Sequence, residues 1–231
     1  MEKTGRAIPA MIVGLSNRAQ CCPHPFYLHL LPTFAMPRVE TDHFYRRSLE
    51  RHGHTAEGVQ WNSTHSQHAR FEILRQFLPE DLSTLTLADA GCGLGDFYSF
   101  LDTQGSRPDR YVGLDVVEPM VEAARLRTGC EILLLDILQE PLPQADYYVC
   151  SGAMNTLTRE ETRAFIERCF MASTRGFVFN LLLGQDSSQH YNLCLPEDVR
   201  EWTRHLDAGI EIADGYLHDD FTVALTRVPA V

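Results

Sequence analysis

The sequence predicts an α/β fold, a mostly parallel sheet with helices on both faces and an antiparallel hairpin at its carboxyl end. Three observations carry this expectation. A short apolar run, 85–90, ends in three glycines, Gly91, Gly93 and Gly95, and passes into a segment able to start a helix. Two more apolar runs, 111–115 and 131–136, each stop at an acid, with a helix-competent stretch between them. Finally, 210–216 and 221–225 flank Leu-His-Asp-Asp, which reads as a hairpin.

The glycine turn sets the chemistry. Without Cβ atoms it can take positive φ and bring its backbone close to a ligand, and the first N–H groups of the following helix are donors without helical partners. A dinucleotide site would read G-x-G-x-x-G. Here the spacing is Asp89-x-Gly91-x-Gly93-x-Gly95-Asp96, which differs by one position. This pattern resembles the glycine loop of class I S-adenosylmethionine-dependent methyltransferases. About twenty residues on, Tyr-Val-Gly-Leu-Asp ends in Asp115, an acid suited to accepting both hydroxyls of a ribose. Glu-Ile-Leu-Leu-Leu-Asp then ends in Asp136. The resemblance covers Thr64 to Thr226 and implies a seven-stranded Rossmann-like sheet with S-adenosyl-L-methionine as cofactor.

The resemblance also implies site residues. Asp89, Gly91, Cys92, Gly93 and Gly95 form the loop and its approach, Asp115 meets the ribose with Val116 also at the cofactor, and Asp136 faces the adenine amino group with Ile137 offering its backbone N–H. Met120 packs near the adenosine or is plain core, and Ser151 ends the fourth strand beside the cofactor. Arg70 reaches the methionine carboxylate, unless it is a solvated helix residue. For the methyl acceptor, the helices before the first strand and the loops after the fourth and fifth strands supply Trp61, Gln67, Asn155, His190 and Tyr191. Trp61 is a packed aromatic on the plainer reading, and Asn155 is equally suited to capping its turn. No catalytic residue is singled out: His65, His68 and His190 fall in segments expected near the pocket, but surface histidines are common.

Composition narrows the partners. With 20 Lys+Arg against 31 Asp+Glu the formal net charge is −11, a poor match for a phosphate backbone, so a small-molecule acceptor is expected rather than a nucleic acid. The Asn/Asp-Pro-Pro-aromatic motif of DNA amino-methyltransferases is absent after the fourth strand, and Cys150 lacks the setting of a cytosine-C5 nucleophile, reading instead as a buried thiol. Seven cysteines, an odd number without C-x-x-C spacing, suit reduced thiols and a cytoplasmic location. Cys21, Cys22 and His24 do not have the look of a metal site, and no metal is expected. No apolar stretch approaches the roughly 20 residues that span a bilayer.

Three regions are expected. Residues 1–38 are proline-rich and sparsely charged, a loosely packed or dispensable extension. Residues 39–80 form a helical cap, in which Thr64 and Gln67 have capping-box spacing. Residues 81–231 are the core domain. There the helix after the glycines is short, 97–102; Pro119 suits a first helical turn; 146–151 is a fourth strand; and 158–172 is an amphipathic helix capped by Thr158 and Glu161. The apolar run 176–183 reads as a strand covered on both faces, followed by a polar loop, 185–192, and a helix, 196–206. The function expected is in-line methyl transfer from S-adenosylmethionine to a small molecule. The competing readings are an NAD(P)-dependent oxidoreductase, which Asp96 in place of the third glycine disfavours, and a catalytically silent binder.

Overall fold

The computed structural model describes residues 64–185 and 191–228. The extension 1–38, the first helix of the cap, Trp61 and His190 lie outside these residues. The elements run α1 (Thr64–Gln76), β1 (Thr86–Ala90), α2 (Asp96–Thr103), β2 (Arg110–Asp115), α3 (Glu118–Thr128), β3 (Glu131–Leu134), β4 (Ala145–Cys150), a 3₁₀ turn (Ala153–Thr156), α4 (Arg159–Ala172), β5 (Ser173–Leu183), β6 (Leu193–Cys194), α5 (Pro196–Thr203), β7 (Ala208–Asp214) and β8 (Asp220–Arg227).

One eight-stranded sheet holds them together, in the order β3-β2-β1-β4-β5-β8-β7 with β6 against the end of β5. All pairings are parallel except β5 with β8 and β8 with β7. The order reverses between β1 and β4, and in open α/β sheets the crevice at such a switch point, above the carboxyl ends of the strands, is where ligands sit. The strands alternate as a sheet covered on both faces must. Leu87, Val149, Val178 and Ala224 pack with Phe71 and Leu74 of α1, Phe97 and Phe100 of α2 and Val121 of α3. On the opposite face Ala88, Tyr148, Cys150, Phe177 and Phe179 meet Phe165, Ile166, Cys169 and Phe170 of α4. Cys150 is therefore a core thiol, pushed up by burial away from the thiolate a nucleophile needs.

Local chemistry explains the boundaries. Thr158 accepts the Glu161 N–H at 3.2 Å while the Glu161 carboxylate accepts the Thr158 N–H at 3.0 Å, the reciprocal cap read from sequence. Gly129 closes α3 in the left-handed conformation. Two expectations shift. The third strand stops at Leu134, two residues short of Asp136, because the Asp136 carbonyl accepts the Gln139 and Glu140 N–H groups and so opens a turn. The sheet also gains β6, where the chain leaving the polar loop pairs with Leu182 and Leu183. Among the described residues no helix is long and apolar enough to cross a membrane.

Helix α1 packs on one face of the sheet and is tied down by polar contacts. Gln67 Nε2 donates to Asp96 Oδ2 at 3.1 Å, so its amide serves the glycine loop rather than Thr64. Three residues on, and so on the same face, Arg70 is ion-paired with Asp220 at the start of β8, and both are buried. Burial pushes the Asp220 carboxyl up to about 6 despite the Arg70 charge. The stability this acid contributes is thus full below about pH 4 and is lost as pH rises through about 6. Without its cation the folded value climbs further. We expect Arg70→Met to cost about 3–5 kcal/mol at pH 8, with the deficit shrinking at pH 5 where Asp220 is protonated in both proteins. Urea unfolding at the two pH values checks this.

Candidate functional site

The crevice begins at the elbow after β1. Gly91 and Cys92 both donate their N–H to the Leu114 carbonyl, at 2.7 and 3.0 Å, which folds the elbow over the end of β2. Gly91 has φ +80°, and a Cβ there would lie 2.2 Å from the Ala153 Cβ, so the chain leaving β4 packs directly on the elbow. Gly95, at φ +76°, caps α2, and a Cβ there would strike Thr128 at 2.5 Å. Both positions demand glycine for space as well as for dihedral.

Asp115 closes the opposite wall. Its two oxygens accept one backbone N–H each, Gly93 to Oδ2 and Val117 to Oδ1, both at 2.9 Å. One carboxylate thus organises the loop and the start of α3 together. Burial raises its pKa, while the N–H groups of Val117, Gly93 and Val116 pull it back. Asp89, in β1 and 3% exposed, accepts a hydrogen bond from the Tyr111 hydroxyl on β2. Its carboxyl is pushed up to about 7, by burial first, with the Tyr111 hydroxyl opposing and the charges of Asp115 and Asp96 adding to the rise. Asp96 is paired with Arg127, but neither Asp89 nor Asp115 has an ion pair among the described residues. Two buried acids at one elbow without a cation favour a positively charged ligand.

The remaining expected residues are distributed as follows. Cys92 is buried, its thiol pushed well up by burial, against Gly113 of β2. Val116 is among the exposed apolar residues, beside Asp115 at the mouth. Met120 is buried with Leu94 and Val117 as packing beneath the loop. Asp136 is half-buried; its Oδ1 accepts the Leu138 N–H at 2.8 Å, and its own N–H goes to Glu140. Ile137 is buried, its carbonyl held by Arg168 at 2.5 Å. Arg70 is ion-paired with Asp220 at the start of β8. Asn155 lies in the 3₁₀ turn, where its carbonyl accepts the Asn192 N–H at 2.7 Å, joining that turn to the chain before β6. Tyr191 is exposed next to the same junction. Ser151 is half-buried and donates to Asn180 Oδ1 at 2.8 Å.

Several side chains that shape this edge escaped sequence reasoning. Tyr111 carries the hydrogen bond to Asp89, Arg168 pins the turn after β3 through the carbonyls of Ile137 and Glu140, and Asn180, Tyr216, Thr222 and Asp220 form one buried polar group. Asn180 alone left a readable signal, a polar residue inside the apolar run 177–183. A groove of about 860 Å³ opens between α1, α2 and α3, with Gln67, Phe71, Asp96, Phe100 and Arg127 in its walls. Leu94 and Asp96 of the elbow line it, whereas Asp115, Asp136 and Ser151 do not.

Comparison with known proteins agrees with this geometry. Residues 87–176 match the sequence-family model described as a methyltransferase domain. No curated protein sequence matches the chain. Among solved structures, magnesium protoporphyrin IX methyltransferase from Synechocystis PCC 6803 with bound SAH has a TM-score of 0.62 at 16% identity, covering 82% of this chain and 95% of that one. A chain of the complex between the Haloferax volcanii Trm112 methyltransferase activator and its methyltransferase has a TM-score of 0.60 at 16% identity, covering 84% and 98%. The [4+2]-cyclase SpnF has a TM-score of 0.54 at 15% identity, covering 68% and 78%. At these identities the structures establish the fold, and the last shows that the fold alone does not fix a reaction. The matched segment begins in β1 and contains the glycine elbow, both acids and β4, so the part of the chain that resembles a methyltransferase domain is the part that builds the crevice.

Proposed function

We propose that this chain binds S-adenosylmethionine above the carboxyl ends of β1, β2 and β4 and passes its methyl group to a small-molecule acceptor. The observation that carries the reading is the pairing of Asp115 with Gly93. A carboxylate that already holds the glycine loop by one oxygen and the start of α3 by the other still has lone pairs to offer a ribose. The buried acids at the elbow suit a sulfonium and an ammonium, and Gly91 and Gly95 let the elbow fold tightly against Ala153 and Thr128.

When bound, S-adenosylmethionine supplies an electrophilic methyl on a positively charged sulfur, with a neutral thioether as leaving group. The chain's own part is to hold donor and acceptor in line and to keep water out, work that supplies large rate factors without a nucleophile. Gly91, Gly93 and Gly95 shape the cradle, Asp115 holds the ribose, and the turn from Asp136 to Glu140 takes the base. Gln67, Asn155 and Tyr191 stand at its rim, on α1, after β4 and before β6, the segments we assign to the acceptor.

Titration calorimetry with S-adenosylmethionine and S-adenosylhomocysteine tests the reading, followed by a screen of cell extracts for transfer of an isotopically labelled methyl. Micromolar binding with transfer supports it. Binding without transfer to any acceptor would favour the silent binder, and no binding would end it. A cation beside Asp89 favours the ionised acid, so binding near pH 7 is expected to release protons. The release, read from the dependence of the heat on buffer ionisation enthalpy, fades above pH 8 and is reduced in Asp89→Asn.

A further inference from the structure

Asn180 is 1% exposed, and every hydrogen-bonding atom of its amide is engaged. Its Oδ1 accepts from Ser151 Oγ at 2.8 Å; its Nδ2 donates to Thr222 Oγ1 at 2.6 Å and to the Tyr216 hydroxyl at 3.4 Å. Tyr216 donates to Asp220 Oδ1 at 3.1 Å and lies 2.8 Å from Thr222 Oγ1, while the other oxygen of Asp220 faces Arg70.

The directions in this chain are forced. An Asp220 carboxylate paired with Arg70 only accepts. The single Tyr216 hydrogen therefore goes to Asp220, and the 2.8 Å contact with Thr222 must be donated by Thr222. With its own hydrogen spent, Thr222 can only accept from Asn180, which turns the amide nitrogen toward Thr222 and the amide oxygen toward Ser151. The Ser151 hydrogen is then spent as well. What Ser151 keeps for the crevice is lone pairs alone.

Ser151 follows directly on β4, the strand beside β1, and the chain after it touches the elbow where Ala153 meets Gly91. A group there that only accepts, near two acids without cations, complements an ammonium, which has three donors and no acceptor.

Resting on the methyltransferase reading above, we propose that Asn180 is a positioning residue, fixing the Ser151 hydroxyl as an acceptor for the ammonium on the amino-acid arm of the bound nucleoside. Arg70 and Asp220 orient the chain from its far end.

The test compares two probes on the full chain, S-adenosylhomocysteine and its counterpart lacking the amino group. Wild type is expected to bind the amine form about tenfold more tightly, as one charge-assisted hydrogen bond allows. Ser151→Ala and the near-isosteric Thr222→Val, which frees the Asn180 amide to rotate, should each bring the ratio below about threefold. Affinity for the deaminated probe should stay within about twofold, and the double variant should lose no more than either single one. Asn180→Ala is predicted to behave likewise, with Thr222→Val as the informative variant should Asn180→Ala fail to fold. A purely structural role would weaken both probes alike. An unchanged ratio in folded Thr222→Val, checked by circular dichroism and melting, overturns the proposal while leaving the methyltransferase reading intact. Failure of wild type to bind either probe overturns both.

Discussion

Asp115→Ala is expected to weaken binding of S-adenosylhomocysteine by at least about a hundredfold. Two losses combine. The direct one is the pair of hydrogen bonds from a ribose to a carboxylate, each worth roughly 1.5–3 kcal/mol. The indirect one is the organisation of the loop, since the Gly93 and Val117 N–H groups lose their common acceptor. Asp115→Asn separates the two, because its amide keeps one acceptor oxygen and gains donors where two acceptors were needed; its loss should be intermediate. Calorimetry on all three proteins, with circular dichroism to verify folding, reads the effect. Equal affinity in wild type and Asp115→Ala would remove this residue from the ligand site.

Gly91→Ala is expected to destabilise the elbow strongly. An alanine at φ +80° is strained on its own account, and its Cβ would stand 2.2 Å from that of Ala153. The chain leaving β4 must move or the elbow must unwind from Leu114. Strain and overpacking together are expected to cost about 2–5 kcal/mol, with the melting temperature falling by roughly 6–15 °C. Gly105→Ala is the control. That glycine also has positive φ, +67°, but nothing lies within 4 Å of the added atom, so about 1 kcal/mol is expected. Comparable losses in the two variants would show that the elbow is not packed against the β4 tail as described.

The contrast between these positions also explains what the sequence made legible. The elbow was readable because Gly91, Gly93 and Gly95 are dictated by local backbone geometry, and so was the cap at Thr158 and Glu161, which involves neighbours four positions apart at most. Apolar runs gave the strands, because a sheet covered on both faces needs continuous hydrophobicity. Partners distant in the chain were not readable. Nothing local marks Tyr111 as the hydrogen-bond partner of Asp89, or Asp220 as the partner of Arg70, a pairing across 150 residues. Arg70, expected at the methionine carboxylate, is ion-paired with Asp220 of β8 through its Nε. The end of β3 was misplaced for a related reason: Asp136 continues an apolar run in sequence, but its carbonyl starts a turn.

The central claim is that the elbow and the acid at the end of β2 form a nucleoside site. A crystal of the full chain grown with S-adenosylhomocysteine tests it most directly. The account predicts the nucleoside above Gly93 with both ribose hydroxyls on Asp115; a ligand lodged in the groove between α1, α2 and α3, with the elbow empty, would contradict it.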